Sequence, residues 1–371
     1  MAEVTRGIGA LETSFRSVDG SPWIVMSGRT SFSASGAEAS LEDFLQSGAR
    51  RLVVEGPLPT TDEVDRLAAE VGSSRPRAIL AVGGGLVIDT MKALALALST
   101  GGSAQSLLNG SAVPSDVEIH TVAAPTTAGS GAERTPFAVL YHDGVKHSVD
   151  DPRLLPDHSI IDPALSSSAP RHVAASAALD ALAHSVESMW ACRSTVESIE
   201  VAAQALGQIV DNIETGVVGE SAPARETLMY AASDAGSAIA VSRTTAAHAL
   251  SYHLTARHGV PHGHAVALML GRVIAFNGEV DESTVLDQRG LAHVASVAAR
   301  ISALLGIDEP VDAPERLRDL VASLGLAPRA DEAAGAMVDR ERWMTEVNEQ
   351  RLGNNPRRIN RDDLLAIVCD A

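Results

Sequence analysis

The chain is poor in aromatic residues, in cysteine and in positive charge. Only 3% of its 371 residues are aromatic, two are cysteine, and 29 Lys and Arg face 47 Asp and Glu, for a formal net charge of -18. The charge balance excludes nucleic acid as a partner, because phosphate backbones are held by concentrated Lys and Arg, and it argues equally against an anionic membrane surface. Cys192 and Cys369 form no CxxC pair and match no zinc-ribbon spacing, so they read as ordinary thiols. No run approaches the ~18 uninterrupted apolar residues of a membrane span, and the start, MAEVTRGIGALETSF, has no apolar stretch of signal-peptide length. A cytoplasmic location is the resulting expectation.

What remains is a globular composition, 45% hydrophobic and 20% charged, in a chain longer than one hydrophobic core usually serves. Two domains are expected. Up to about residue 165, short apolar runs alternate with helical periods: WIVMSG (23–28), RLVVEG (51–56), AILAVGGG (78–85) and IHTVAAP (119–125) read as buried parallel strands ended by Gly or Pro. LEDFLQSGA and TTDEVDRLAAEV read as crossover helices between them, the second with a Thr N-cap. DPRLLPDHSIIDPALSSSAP (151–170), with four prolines, reads as a junction, and beyond it only helical periodicity is seen. The expected fold is thus an α/β dinucleotide-binding domain over 1–165 followed by an all-α metal- and substrate-binding domain over 166–371. ETSFRSVDGSP, near the start, could form an exposed hairpin that pairs with a second subunit, giving a homodimer.

Two polar loops stand at expected strand ends. In AVGGGLVIDTMK, Gly83, Gly84 and Gly85 lead from a strand into a helix carrying Asp89 and Lys92. Glycines there let a backbone come close to a pyrophosphate, and the free N–H groups of the helix start favour negative charge. The spacing is not GxGxxG, and glycine-rich strand ends also make simple turns. PTTAGSGAE offers Thr126, Thr127 and Ser130 at the next strand end, where they could close over the same ligand.

Five of the twelve histidines fall within residues 243–268. In the helical stretch DALAHSVES, Asp180 and His184 are four apart and so leave one face at adjacent turns. Such a pair is often only a helix-surface hydrogen bond. His248 lies in a helical run starting at Thr244 or Thr245, and His262 follows Gly259 and Pro261, which interrupt that run. Three imidazoles and one carboxylate suit Fe(II) or Zn(II).

In the order GGGxxxD, TTAGSG, Asp180-x3-His184, His248-x13-His262 and the ending NNPRRINRDDLLAI, from about Ile24 to Ile367, the sequence resembles the iron-containing (group III) alcohol dehydrogenase family, which shares its fold with glycerol dehydrogenase and dehydroquinate synthase. The resemblance implies metal ligands at Asp180, His184, His248 and His262, pyrophosphate contacts at Gly83, Gly84, Gly85 and Asp89, and nicotinamide-side contacts at Thr126, Thr127 and Lys146. It also implies hydride transfer between a nicotinamide and a carbonyl carbon, with the metal as Lewis acid. Tyr252 stands where many members carry a further histidine, so the resemblance implies protonation through water, the cofactor ribose or Tyr252, with His253 as a second catalytic candidate. His253, His258 and His264 match no ligand position and read as supporting or surface groups.

Many NAD-preferring relatives have an Asp where this sequence has Gly28, and that change, with Arg29 following, favours NADP(H). Arg243 and Thr244, just before the His248 helix, form a plausible site for an anionic substrate group. RTTAAHALSY with PHGHAVAL also resembles the branch of the family that reduces phosphonoacetaldehyde to 2-hydroxyethylphosphonate. The competing readings are a general short-chain alcohol or diol dehydrogenase, a dehydroquinate synthase-like lyase, against which the full ligand set argues, and a non-catalytic nucleotide-binding protein.

Overall fold

The computed structural model describes residues 3–73, 75–110 and 118–369, and divides into two compact units, 1–169 and 170–371. In the first unit, six parallel strands form one sheet in the order β1-β8-β5-β4-β2-β3. These are β1 (Glu3–Arg6), β2 (Trp23–Gly28), β3 (Arg50–Val54), β4 (Ala78–Gly83), β5 (His120–Pro125) and β8 (His158–Ile161). β6 (Phe137–His142) and β7 (Val145–Asp150) make a separate antiparallel hairpin.

The apolar runs are continuous because both faces of the sheet are covered. Ile24 and Met26 of β2, with Ile79 and Ala81 of β4, enter one core against the helices Thr61–Val71 and Gly85–Thr100. The intervening Val25, Leu80 and Val82 enter the opposite core with Leu11, Phe15, Phe32 and Phe44. Alternation of side chains along a strand makes that division. The chain passes from β2 out to β3 and returns on the other side of β2 as β4, so the order reverses between β2 and β4. Ligands of open α/β sheets bind outside the strand C-termini at such a reversal.

Two expectations are corrected. ETSFRSVDGSP is not a hairpin: Ala10–Phe15 is helical, and Leu11 and Phe15, one turn apart, are buried. Phe15 packs on Phe44 at 4.7 Å and edge-on to Trp23 at 5.4 Å, contacts that an exposed pairing edge would forfeit. The segment 151–170 is also more than a junction, because its HSII is strand β8, inserted between β1 and β5. Asp162 fastens it, accepting from the backbone N–H of Gly9 and Leu11, both at 3.2 Å.

The second unit is helical throughout its described residues, apart from one isolated bridge between Val285 and Arg357. Arg171–Trp190 is buried on nearly every side from Ala178 on, which its run of Ala and Ser permits. Val196–Val217, Ala222–Ser242 and His262–Gly278 pack around it, and Ala246–His258 packs on His262–Gly278. The break between the last two occurs at Gly259, in the left-handed conformation (φ 67°), and Pro261. No single helix of the described residues is long and apolar enough to cross a membrane.

Candidate metal centre and nucleotide loops

In the first unit the two polar loops meet. The Thr126 N–H donates to the Gly83 carbonyl at 3.0 Å, and a Cβ on Gly85 would stand 2.9 Å from Ser130 Oγ. A Cβ on Gly83 would stand 2.5 Å from the Val87 side chain, so glycine serves close approach here rather than a special turn. Gly84 begins the helix Gly85–Thr100 with no side-chain cap, leaving its first N–H groups for an anion.

Asp89, Lys92 and Lys146 cluster just beyond. Asp89 Oδ2 accepts from the Val139 N–H at 3.0 Å and Oδ1 lies 3.6 Å from Lys92 Nζ. Burial raises the Asp89 carboxyl and the charges of Lys92 and Lys146 oppose that rise. Lys92 is buried and donates to Thr135 O, Thr135 Oγ1 and Phe137 O at 2.9–3.0 Å, so it ties the helix to the hairpin. Gly28 ends β2, and the exposed Arg29 beyond it pairs with Glu55 at 2.5 Å.

In the second unit Asp180 Oδ1 is the hub. His248 Nε2 lies 3.4 Å from it, His184 Nε2 3.7 Å and His262 Nε2 4.0 Å. Donor atoms of Asp180, His248 and His262 fall within 4.8 Å of one another. Ligands at about 2.1 Å from a tetrahedral ion are roughly 3.4 Å apart, so a small contraction would satisfy an ion. His184 stacks on His248 at 4.7 Å. Asp180 Oδ1 and His248 Nε2 are buried and make no hydrogen bond among the described residues, as expected of buried donor atoms that serve a cation. The donor set therefore fits a divalent metal.

One glycine makes this convergence possible. A Cβ on Gly263 would stand 1.9 Å from the Ser176 carbonyl oxygen and 2.7 Å from Asp180 Cβ. Only glycine lets the start of the His262 helix press onto the helix that carries Asp180.

Glu187, which the sequence reading passes over, completes the arrangement. It lies seven residues after Asp180, on the same helical face, and is fully buried. His248 Nδ1 donates to its Oε2, while Oε1 accepts from Thr245 Oγ1 at 2.7 Å and the Ala247 N–H at 2.9 Å. Trp190 Nε1 donates in turn to Thr245 Oγ1 at 2.9 Å. Burial alone would raise both carboxyls, but His184, His248 and His262 together around Asp180, and His248 with Thr245 around Glu187, outweigh it and hold them below the usual range. Burial likewise opposes a charge on His248, and the two carboxylates overcome it, so its pKa is raised. The pocket is electrostatically built to hold a cation.

Tyr252 is one turn past His248, with its ring 6.4 Å from that of His262. His253 is not brought to the cluster: it stacks on Trp343 at 5.5 Å and shares its Nδ1 with Glu346 at 2.8 Å. His258 packs beside it at 5.4 Å, and His264 bonds the Ala327 carbonyl at 2.7 Å. Thr244 is buried, whereas Arg243 donates from Nη1 to the Ala240 carbonyl at 2.6 Å.

A nucleotide-type α/β sheet in one unit and a histidine–aspartate pocket that fits a divalent metal in the other are the parts of a metal-dependent enzyme with a nucleotide cofactor. Comparison with known proteins makes the assignment specific: residues 3–163 match the model for iron-containing alcohol dehydrogenase, and residues 174–371 match the C-terminal model of the same family. The chain belongs to the iron-containing alcohol dehydrogenase family, and is an oxidoreductase of its alcohol dehydrogenase and aldehyde reductase type that uses a metal and a nicotinamide cofactor. It is 37% identical to the phosphonoacetaldehyde reductase of Streptomyces viridochromogenes over 84% of this chain and 80% of that protein. It is 26% identical to the sulfoacetaldehyde reductase of Bilophila wadsworthia over 99% of this chain and 96% of that one. The structure of sulfoacetaldehyde reductase from Bifidobacterium kashiwanohense in complex with NAD+ superposes with a TM-score of 0.85 at 25% identity, covering 99% of this chain and 96% of that one.

Proposed function

We propose that this chain is a cytoplasmic, Fe(II)- and NADPH-dependent reductase that converts phosphonoacetaldehyde to 2-hydroxyethylphosphonate. The observation that carries the reading is the 37% identity to a phosphonoacetaldehyde reductase, joined to an Arg243-Thr244-Thr245 segment directly ahead of the helix bearing His248. Gly83, Gly84, Gly85, Asp89, Thr126, Thr127, Ser130 and Lys146 would form the cofactor loops, with Gly28 and Arg29 admitting a 2′-phosphate. Asp180, His184, His248 and His262 would hold the metal.

When bound, the metal supplies Lewis acidity for the negative charge that develops on the aldehyde oxygen, and the nicotinamide supplies the hydride. Glu187 holds the His248 ring in the tautomer whose Nε2 faces Asp180. Arg243 and Thr244 offer donors to the phosphonate, and Tyr252, whose ring lies 6.4 Å from that of His262, donates from its hydroxyl the proton that completes the alcohol.

The test follows NADPH and NADH oxidation by anaerobically iron-loaded protein with phosphonoacetaldehyde, sulfoacetaldehyde and propanal. The expected result is a kcat/KM for phosphonoacetaldehyde about tenfold or more above the others, with NADPH preferred. Equal or better turnover of propanal would make the enzyme a general alcohol dehydrogenase. Preference for sulfoacetaldehyde would move its substrate to the sulfonates.

A further inference from the structure

Arg351 is a cation to which the preceding reading gives no task. Arg257, Arg289, Arg300 and Arg340 each sit on a carboxylate. Arg351, half-buried on the short helix Glu349–Leu352, has no carboxylate within ion-pair reach among the described residues. Its guanidinium donates from Nη1 to the buried Thr244 Oγ1 and to no other described group. A guanidinium carries five N–H donors in a rigid fork, so most of its capacity is uncommitted.

Its position is fixed from both sides. Asn354, buried, donates from Nδ2 to the carbonyls of Ser242 at 2.9 Å and Thr244 at 3.1 Å. Asn354 also accepts from the backbone N–H of Cys192 at 3.0 Å and of Arg193 at 3.2 Å. The turn that it grips includes Arg243 at φ 61°, ψ 171°, a region that non-glycine residues hold only where surroundings over-determine it. Thr244 lies just ahead of the helix Ala246–His258, and its neighbour Thr245 bonds the same Glu187 carboxylate that accepts from His248 Nδ1, so this segment stands beside a candidate metal ligand.

We propose that Arg351, with the Thr244 hydroxyl beside it, is a specificity-determining residue that binds the tetrahedral oxyanion of the aldehyde substrate. The inference rests on the reading that the substrate bears an acid group. The fork matches two oxygens of such a group at once, and the threonine hydroxyl turns to donate to a third.

The test uses Arg351→Met, which keeps the aliphatic stem and removes the charge, and Arg351→Lys, which keeps charge without the fork. Arg351→Met should lower the ratio of kcat/KM for phosphonoacetaldehyde to that for propanal by about 10- to 100-fold, the range for losing hydrogen bonds to a charged group. Arg351→Lys should recover part of that ratio. Calorimetry with methylphosphonate and metal-free protein gives a second readout, and Arg351→Met should weaken binding by a similar factor. An unchanged ratio with unchanged methylphosphonate binding overturns the assignment of Arg351 and leaves the substrate reading standing. A wild-type enzyme that favours propanal, yet binds methylphosphonate through Arg351, upholds the subsite and overturns phosphonoacetaldehyde as substrate. Sulfoacetaldehyde, run in parallel, tells a sulfonate substrate from a phosphonate one.

Discussion

Glu187 grips His248 from behind: its carboxylate accepts a hydrogen bond from Nδ1, and the opposite ring nitrogen faces Asp180 Oδ1 at 3.4 Å. Two carboxylates thus flank one imidazole, one orienting it and the other sharing its proposed ion. Replacing Glu187 by Gln should lower metal affinity about 10- to 100-fold, the usual penalty for losing a carboxylate behind a ligating histidine. Competition with a graded series of chelators, followed by metal analysis, measures it. Unchanged affinity would reduce Glu187 to a packing role.

Gly263→Ala should damage fold and metal centre together. The added Cβ would meet the Ser176 carbonyl at 1.9 Å and Asp180 Cβ at 2.7 Å, atoms of a buried helix that cannot turn aside. A loss of about 3 kcal/mol of stability is expected from such overpacking. Urea unfolding gives that number, and metal content of the folded fraction should fall with it. A variant of normal stability and full metal loading would contradict the close-approach account.

Arg29→Ala should shift cofactor choice. Arg29 is exposed and paired with Glu55, a contact worth about 0–1 kcal/mol and readily surrendered to a 2′-phosphate. Its removal should lower the ratio of kcat/KM with NADPH to that with NADH by about tenfold. A constant ratio would confine Arg29 to its surface pair.

Glu346 gives a pH signature away from the metal. Arg257 hydrogen bonds pull its carboxyl down to about 2, burial opposes them, and His253 adds to the pull. A depressed carboxyl stabilises the fold above its unfolded pKa, and that contribution is lost as pH falls through the folded value. Glu346→Gln should therefore cost about 1 kcal/mol at pH 7, after discounting for solvent screening. The gap from wild type should narrow between about pH 4.5 and pH 2. Thermal unfolding of both proteins at pH 7 and pH 3 reads it, and a gap that stays constant would argue against the ion pair.

Strands β2 to β5 were legible because strands covered on both faces read as unbroken apolar runs. β1 and β8 were not: each has only four residues, too few for a period, and β8 lies among prolines that suggest a linker. The initial segment misled because its serines and glycine resemble a turn, although Leu11 and Phe15 at helical spacing were the stronger signal. Asp180 and the three histidines gathered around its Oδ1 stood out through the ordered motifs that resemble the family, since the spacing of 180 to 184 and the Gly-Pro break before 262 alone also fit a helix-surface pair. Glu187 did not, because a lone Glu in an alanine-rich helix looks like a solvated residue. Arg351 was invisible for another reason, since its partner Thr244 is 107 positions away and no local pattern links them.

The grip of Asn354 has a consequence for substrate choice. All four groups that it holds belong to the main chain of residues 192, 193, 242 and 244, so the fastening is indifferent to the side chains that those positions present. Position 351 can therefore exchange its side chain while the segment carrying it keeps its seat. With the subsite proposed at Arg351, a change at that one position would move preference between aldehydes that carry an acid and aldehydes that do not, leaving the groups around Asp180 as they are.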